Sequence, residues 1–177
     1  MSEPAGQSGY LIRPAGQADL DAIARFEIEI ARISFGAEAI TDPALHRKRA
    51  AAALGKPGEV TLVAAARTAP GAPLGWAWLS ARTNSLTGDR YGNFRSLAVA
   101  DVPDRSLLGE LLLAAVLDAA GQAGLRQLTG KVHAANLGMR TLYRKFGFEA
   151  THITMERRPD GARAPDDRRP APGTPSP

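Results

Sequence analysis

From Tyr10 to Glu156 the chain alternates short apolar stretches of strand character with segments whose apolar residues recur every three to four positions, and that order constrains the fold more than any single motif. Tyr10 to Arg13 reads as a strand ended by Pro14. Asp19 stands where an N-cap belongs, before a helix running towards Arg32 with Leu20, Ile23, Ala24, Phe26 and Ile30 near the spacing of one buried face. Ser34-Phe35-Gly36-Ala37 reads as a loop; Thr41 or Asp42 before Pro43 then opens a second helix, which Leu45 to Leu54 continue and Gly55 stops. Strands are expected at Val60 to Ala66, at Leu74 to Leu79 and at about Tyr91 to Val99, the first two separated by the turn residues Ala69 to Pro73. A long helix from about Pro103 to Ala120 puts Leu108, Leu111, Leu112, Ala115 and Ala119 on one face and breaks at Gly121 to Gly124. Gln127 to His133 reads as a strand, Leu137 to Phe146 as a helix and Phe148 to Glu156 as a closing strand. The order β-α-α-β-β-β-α-β-α-β predicts an α/β fold with helices packed on a mixed sheet.

At 177 residues the chain is long enough for one domain with a substantial core. It has no cysteine, which excludes disulfides, thiolate metal sites and a Cys nucleophile. Its longest purely apolar run, Leu111 to Leu117, is seven residues, against the roughly 18 a membrane-spanning helix needs. Met1-Ser2-Glu3-Pro4 lacks the basic-then-apolar layout of a secretory signal. The expectation is a soluble, cytoplasmic protein that does not engage a membrane. The formal net charge of +4 raises the question of a nucleic-acid partner, and the position of the charge answers it. From Arg157 onward there are five arginines, three aspartates and six of the 13 prolines, so half of the excess charge falls in a stretch too polar to bury a core. The body retains only +2, and no nucleic-acid face is expected. The chain divides on this reading into a flexible leader (residues 1–8), a working domain (9–157) and a disordered Pro/Arg/Asp-rich tail (158–177). Lysine occurs only at 48, 56, 131 and 145 against 18 arginines, a bias that with the abundant Ala, Gly and Pro points to a GC-rich bacterial genome.

Two segments carry chemistry. From Phe94 to Leu112 a buried strand leads through a tight polar turn into a helix start. That arrangement aims unpaired backbone N–H groups and the positive end of a helix dipole at one place, where an anion such as a pyrophosphate is held by geometry. The same segment also serves as an ordinary strand-turn-helix connection. From Val132 to Glu149 a strand ends at Asn136, a natural N-cap, and a helix follows until Gly147, a glycine between Phe146 and Phe148 that fits a helix C-cap. Tyr143 lies seven residues after Asn136, near two full turns, so both can face one side. Trp76 and Trp78 alternate along one strand and share a face, as core against a helix rather than as a substrate platform. His46 and His152 have no partners at metal-ligand spacing, and no metal is assigned.

Taken together, these segments resemble the GNAT superfamily of N-acetyltransferases. The run Asn136…Leu142-Tyr143-Arg144-Lys145-Phe146-Gly147-Phe148-Glu149 is similar to that family's Asn…Leu-Tyr-x-Lys-x-Gly-Phe-Glu signature, and Leu11-Ile12-Arg13-Pro14-Ala15…Asp19-Leu20 looks like its first strand and helix. The resemblance covers about residues 9 to 157. It departs at the phosphate loop, where the family pattern is Arg or Gln, two residues, Gly, one residue, then Gly or Ala. With the last position on Gly109, Asp104 stands where the Arg or Gln belongs and Leu107 where the first Gly belongs, although Arg105 could supply the positive charge.

The resemblance implies a GNAT-type fold, acetyl-CoA as donor and direct transfer to a primary amine, of a small molecule more than of a protein, by a monomer or homodimer. Backbone groups of Leu97, Ala98 and Val99 would bind the donor's arm and polarise its thioester carbonyl. Arg105, Ser106, Leu107, Leu108 and Gly109 would hold its phosphates, and Asn136 would contact the cofactor or orient a water. Tyr143 would protonate the leaving thiolate, a proton transfer suited to a phenol of pKa about 10. No general base is assigned: Glu27, Glu29, Glu38, Asp89 and His133 read as solvated surface residues, and a water chain could serve. The alternative, carried by the altered loop, is a catalytically inactive GNAT-fold module used for binding or regulation.

Overall fold

A computed structural model describes residues 9–134, 136–155 and 157; the leader (1–8) and tail (158–177) expected above lie outside them. The chain divides into two compact units, Met1–Val132 and His133–Pro177.

The first unit is a five-stranded sheet in the order β1-β2-β3-β4-β5, made of β1 (Tyr10–Pro14), β2 (Glu59–Ala66), β3 (Pro73–Thr83), β4 (Arg90–Val99) and β5 (Leu128–Gly130). The first four strands are antiparallel neighbours, and β5 alone runs parallel to β4. A parallel neighbour requires a crossover, supplied here by α3 (Arg105–Gln122). α1 (Leu20–Phe35) and α2 (Pro43–Ala51) connect β1 to β2.

Each sheet face has its own helical cover. Val63, Trp76 and Trp78 form a core with Leu20, Ile23 and Phe26 of α1 and Ala50 of α2. The fully buried Leu108, Leu112, Leu113 and Val116 of α3 close the opposite face. The approach there is tight: a Cβ placed on Gly75 would lie 3.3 Å from Leu112 Cδ2 and from Ala98 O. Both tryptophans are therefore core residues.

The helix ends mostly follow local chemistry. Asp42 is the cap of α2, with Oδ1 accepting from Ala44 N–H at 2.9 Å and Pro43 at N1. Asp19 behaves differently: its carboxylate makes no capping bond to α1. It accepts instead from both terminal nitrogens of Arg13, each at 2.7 Å, and from Gly16 N–H at 2.8 Å. A bidentate guanidinium outcompetes a helix amide for a buried carboxylate, so Asp19 fastens β1 to the start of α1. The Arg13 contact holds its pKa below the usual carboxylate value.

The second unit contains α4 (Leu137–Lys145). The strand expected at 148–156 does not form over residues 148–155, where Ile153 and Met155 are exposed. Apolar alternation marks a strand only when a neighbour supplies a ladder, and none pairs with this segment among the described residues. The strand expected at 127–133 is reduced to Leu128–Gly130 for a related reason, because its parallel register with β4 covers only Gly92, Asn93 and Phe94.

Candidate active site

The end of that short pairing creates the main feature of the first unit. Phe94 is the last β4 residue to face β5. Directly after it the β3–β4 register slips, with Leu79 opposite Phe94 but Trp78 opposite Ser96, which makes Arg95 the extra residue of a β-bulge. Beyond the bulge, β4 retains β3 on one side and has no strand on the other among the described residues. Ala100 N–H donates to Leu74 O of β3 at 2.8 Å. By the two-residue alternation of backbone groups in an antiparallel pair, Ala98 also points towards β3, whereas Leu97 and Val99 direct their N–H groups to the open side. Leu97 and Val99 are buried, as is Leu97's neighbour Ser96. An extended ligand can take the place of the missing strand.

β4 runs on into the first turn of α3. Arg105 N–H reaches Val102 O at 3.0 Å and Leu108 N–H reaches Asp104 O at 2.9 Å, leaving the amides of Ser106 and Leu107 outside the helical ladder. Asp104 is the N-cap residue but its side chain makes no capping bond. Its carboxylate accepts from the Tyr10 hydroxyl at 2.7 Å, which raises the phenol pKa above its ordinary value. Arg105 and Ser106 are exposed and Leu107 is 43% exposed, whereas Leu108 and Gly109 are buried. Of the proposed phosphate contacts, Leu108 and Gly109 are therefore buried, and the Leu108 N–H is already engaged by Asp104 O.

In the second unit Asn136 caps α4, its Oδ1 accepting from Met139 N–H at 3.1 Å. The helix ends in a Schellman motif: Gly147 (φ +79°) donates N–H to Arg144 O at 3.0 Å, and Phe148 N–H to Tyr143 O at 3.0 Å. The rings of Tyr143 and Phe148 stack with centroids 4.8 Å apart. Tyr143 is buried, and desolvation pushes its phenol pKa well upward. The hydroxyl consequently keeps its proton through the whole physiological range.

Two carboxylates lie on the α1 side of the sheet in the first unit. Glu27, expected to be solvated, is half-buried and accepts from Trp76 Nε1–H at 2.7 Å. Glu59 was not among the sequence candidates. It accepts from Trp78 Nε1–H at 2.7 Å and from Ser80 Oγ–H at 2.5 Å, both on Oε2. The local signal for this arrangement is weak, since it depends on Glu59 pairing with Ser80 across β2 and β3. Arg95 lies over the Trp78 ring, 5.3 Å from its centroid. Among the described residues no group of three or more His, Cys, Asp or Glu could hold a metal ion, and no helix is long and apolar enough to cross a membrane.

A mixed sheet with a bulged interior strand that runs on to a helix N-terminus defines an α/β protein. Residues 23–148 match the model of the acetyltransferase (GNAT) family. The chain belongs to that family and is a GNAT acetyltransferase. No relative is found among curated proteins. Among solved structures, AAC(6')-Iy in complex with the bisubstrate analog CoA-S-monomethyl-acetylneamine is 18% identical, with a TM-score of 0.67 over 85% of this chain and 98% of that one. The aminoglycoside antibiotic 6'-N-acetyltransferase AAC(6')-Ig of Acinetobacter haemolyticus is 17% identical, with a TM-score of 0.62 over 84% of this chain and 97% of that one. A transcriptional regulator from Bacillus halodurans C-125 is 14% identical, with a TM-score of 0.69 over 84% of this chain and 99% of that one. At these identities the likeness is one of fold.

Proposed function

We propose that this acetyltransferase moves an acetyl group from acetyl-CoA to the primary amine of a small molecule, in the cytoplasm. The observation that carries the reading is the open side of β4 at Leu97 and Val99, continuous with the first turn of α3. Acetyl-CoA supplies the acetyl group as a thioester, and transfer to an amine yields an amide and a free thiol. The N–H groups of Leu97 and Val99 would hold the extended arm and stabilise negative charge on the reacting carbonyl oxygen. The backbone amides of Ser106 and Leu107, with the Arg105 guanidinium, would take the phosphates. Leu108 and Gly109 form the helix turn beneath them, and Ala98 keeps β4 in register with β3. Tyr143 would give its hydroxyl proton to the departing sulfur, although burial, which raises its pKa, makes it a weaker acid than a solvated phenol. Asn136, whose Oδ1 is engaged in the cap, retains its amide N–H groups for the donor or a water. The printed activity of the aminoglycoside antibiotic 6'-N-acetyltransferase supports a small-molecule amine as acceptor.

The test is calorimetry with acetyl-CoA, followed by thiol release in the presence of an amine panel. Saturable binding and amine-dependent thiol release are expected. Failure to bind at millimolar donor would refute the reading, because a ligand well above its dissociation constant must register as binding and as added stability. Tyr143→Phe should lower kcat about a hundredfold, within the usual range for a lost general acid; an unchanged chemical step would remove Tyr143 from that role.

A further inference from the structure

Glu59 is held in an unusual way for a carboxylate near a surface. Its Oε2 is fixed by two neutral donors, Trp78 Nε1–H and Ser80 Oγ–H. Its Oε1 faces the Arg82 guanidinium at 3.7 Å, close enough for an ion pair and too far for a hydrogen bond. The side chain is only 16% exposed, whereas that of Arg82 is 45% exposed. Beside it, Arg95 projects from the β4 bulge across the Trp78 ring. An oriented carboxylate and an aromatic ring thus sit together, each beside an arginine of the chain itself. A carboxylate needed only to satisfy Trp78 and Ser80 would complete that task with Oε2. The directed Oε1 is surplus to it.

We propose that Glu59 Oε1 receives a second, non-reacting ammonium group of the acceptor, so that the preferred substrates carry at least two amines. The inference rests on the acetyltransferase reading above and narrows its substrate class. Seating the reacting amine on a carboxylate would favour its protonated form and oppose attack, so the group bound here is the distal one. Glu59 pairs with Ser80, and Ser80 pairs with Asn93 of β4, so the seat lies two strand spacings across the sheet and several residues along it from Leu97, on the order of 15 Å. The bound ammonium takes the position that Arg82 approaches, forming a charge-assisted hydrogen bond that Arg82 does not make.

The experiment compares acetyl transfer to diaminododecane with transfer to dodecylamine, two acceptors that differ by one terminal ammonium, the diamine being long enough when extended to span from the seat to Leu97. The full-length protein should favour the diamine about tenfold in kcat/KM, through KM, the magnitude of one charge-assisted hydrogen bond. In Glu59→Gln the amide oxygen can still accept from Trp78 and Ser80, and the ratio should fall about tenfold. Arg82→Ala, which removes the competing cation and needs no change at Glu59, should raise the ratio. A wild-type ratio near one, or a preference that survives Glu59→Gln or falls in Arg82→Ala, overturns the assignment. Absence of thiol release with either amine instead refutes the acceptor class on which it rests.

Discussion

Tyr143 and Phe148 are joined twice, by the hydrogen bond from Phe148 N–H to Tyr143 O and by the stacking of their rings. Both contacts belong to the motif that ends α4, so the placement of the proposed proton donor depends on the turn that follows it. Gly147 makes that turn at φ +79° with nothing within 4 Å of a Cβ placed on it. Gly147→Ala should therefore act through backbone strain alone, costing about 1 to 2 kcal/mol. The expected result is a lower melting temperature together with a several-fold loss of kcat, read by thermal melts and steady-state kinetics. A fall in stability with full kcat would separate the turn from the chemistry.

Asp104 puts a negative charge at the helix end where phosphates are proposed to bind. Its hydrogen bond from Tyr10 holds the carboxylate without removing its charge. Asp104→Asn keeps an oxygen for Tyr10 and deletes the charge, so CoA should bind about twofold to fivefold more tightly, the usual scale of one charge at a helix terminus. Calorimetry at low and high salt checks this, with the gain shrinking as salt rises.

Asp19 gives the fold an acid-sensitive joint. Its pKa in the folded chain is lowered, chiefly by Arg13. Its contribution is therefore complete above the ordinary carboxylate pKa of the unfolded chain and is lost as pH falls through the lower folded value. Asp19→Asn should cost about 2 kcal/mol at neutral pH, less than a fully buried pair because Arg13 is 28% exposed. Urea melts of both proteins between neutral and acid pH should converge as the pH drops.

The elements that depend on neighbouring residues in sequence were legible. Asp42-Pro43 announced a helix start and Phe146-Gly147-Phe148 a helix end, because the donors and acceptors involved lie within a few positions. Asp19 has the same local appearance as Asp42, yet Arg13 arrives from β1 and takes its carboxylate. The bulge at Arg95 was invisible in the same sense, since an extra residue exists only relative to a partner strand. Glu27 and Glu59 look like solvated acids in one dimension. Each becomes a half-buried acceptor only when β3 brings a tryptophan beside it. Residues 148–155 show the opposite case, a strand pattern with no neighbour to complete it.

The two tryptophans are the only ones in the chain. Their rings stand 6.3 Å apart on one side of the sheet, each with its N–H on a different carboxylate. All of the protein's indole emission therefore originates at a single spot, next to Glu27 and Glu59, and none at the first turn of α3. Fluorescence of the unlabelled molecule is thus an intrinsic optical channel for events at the proposed Glu59 seat, separate from calorimetric heat that registers both ligands.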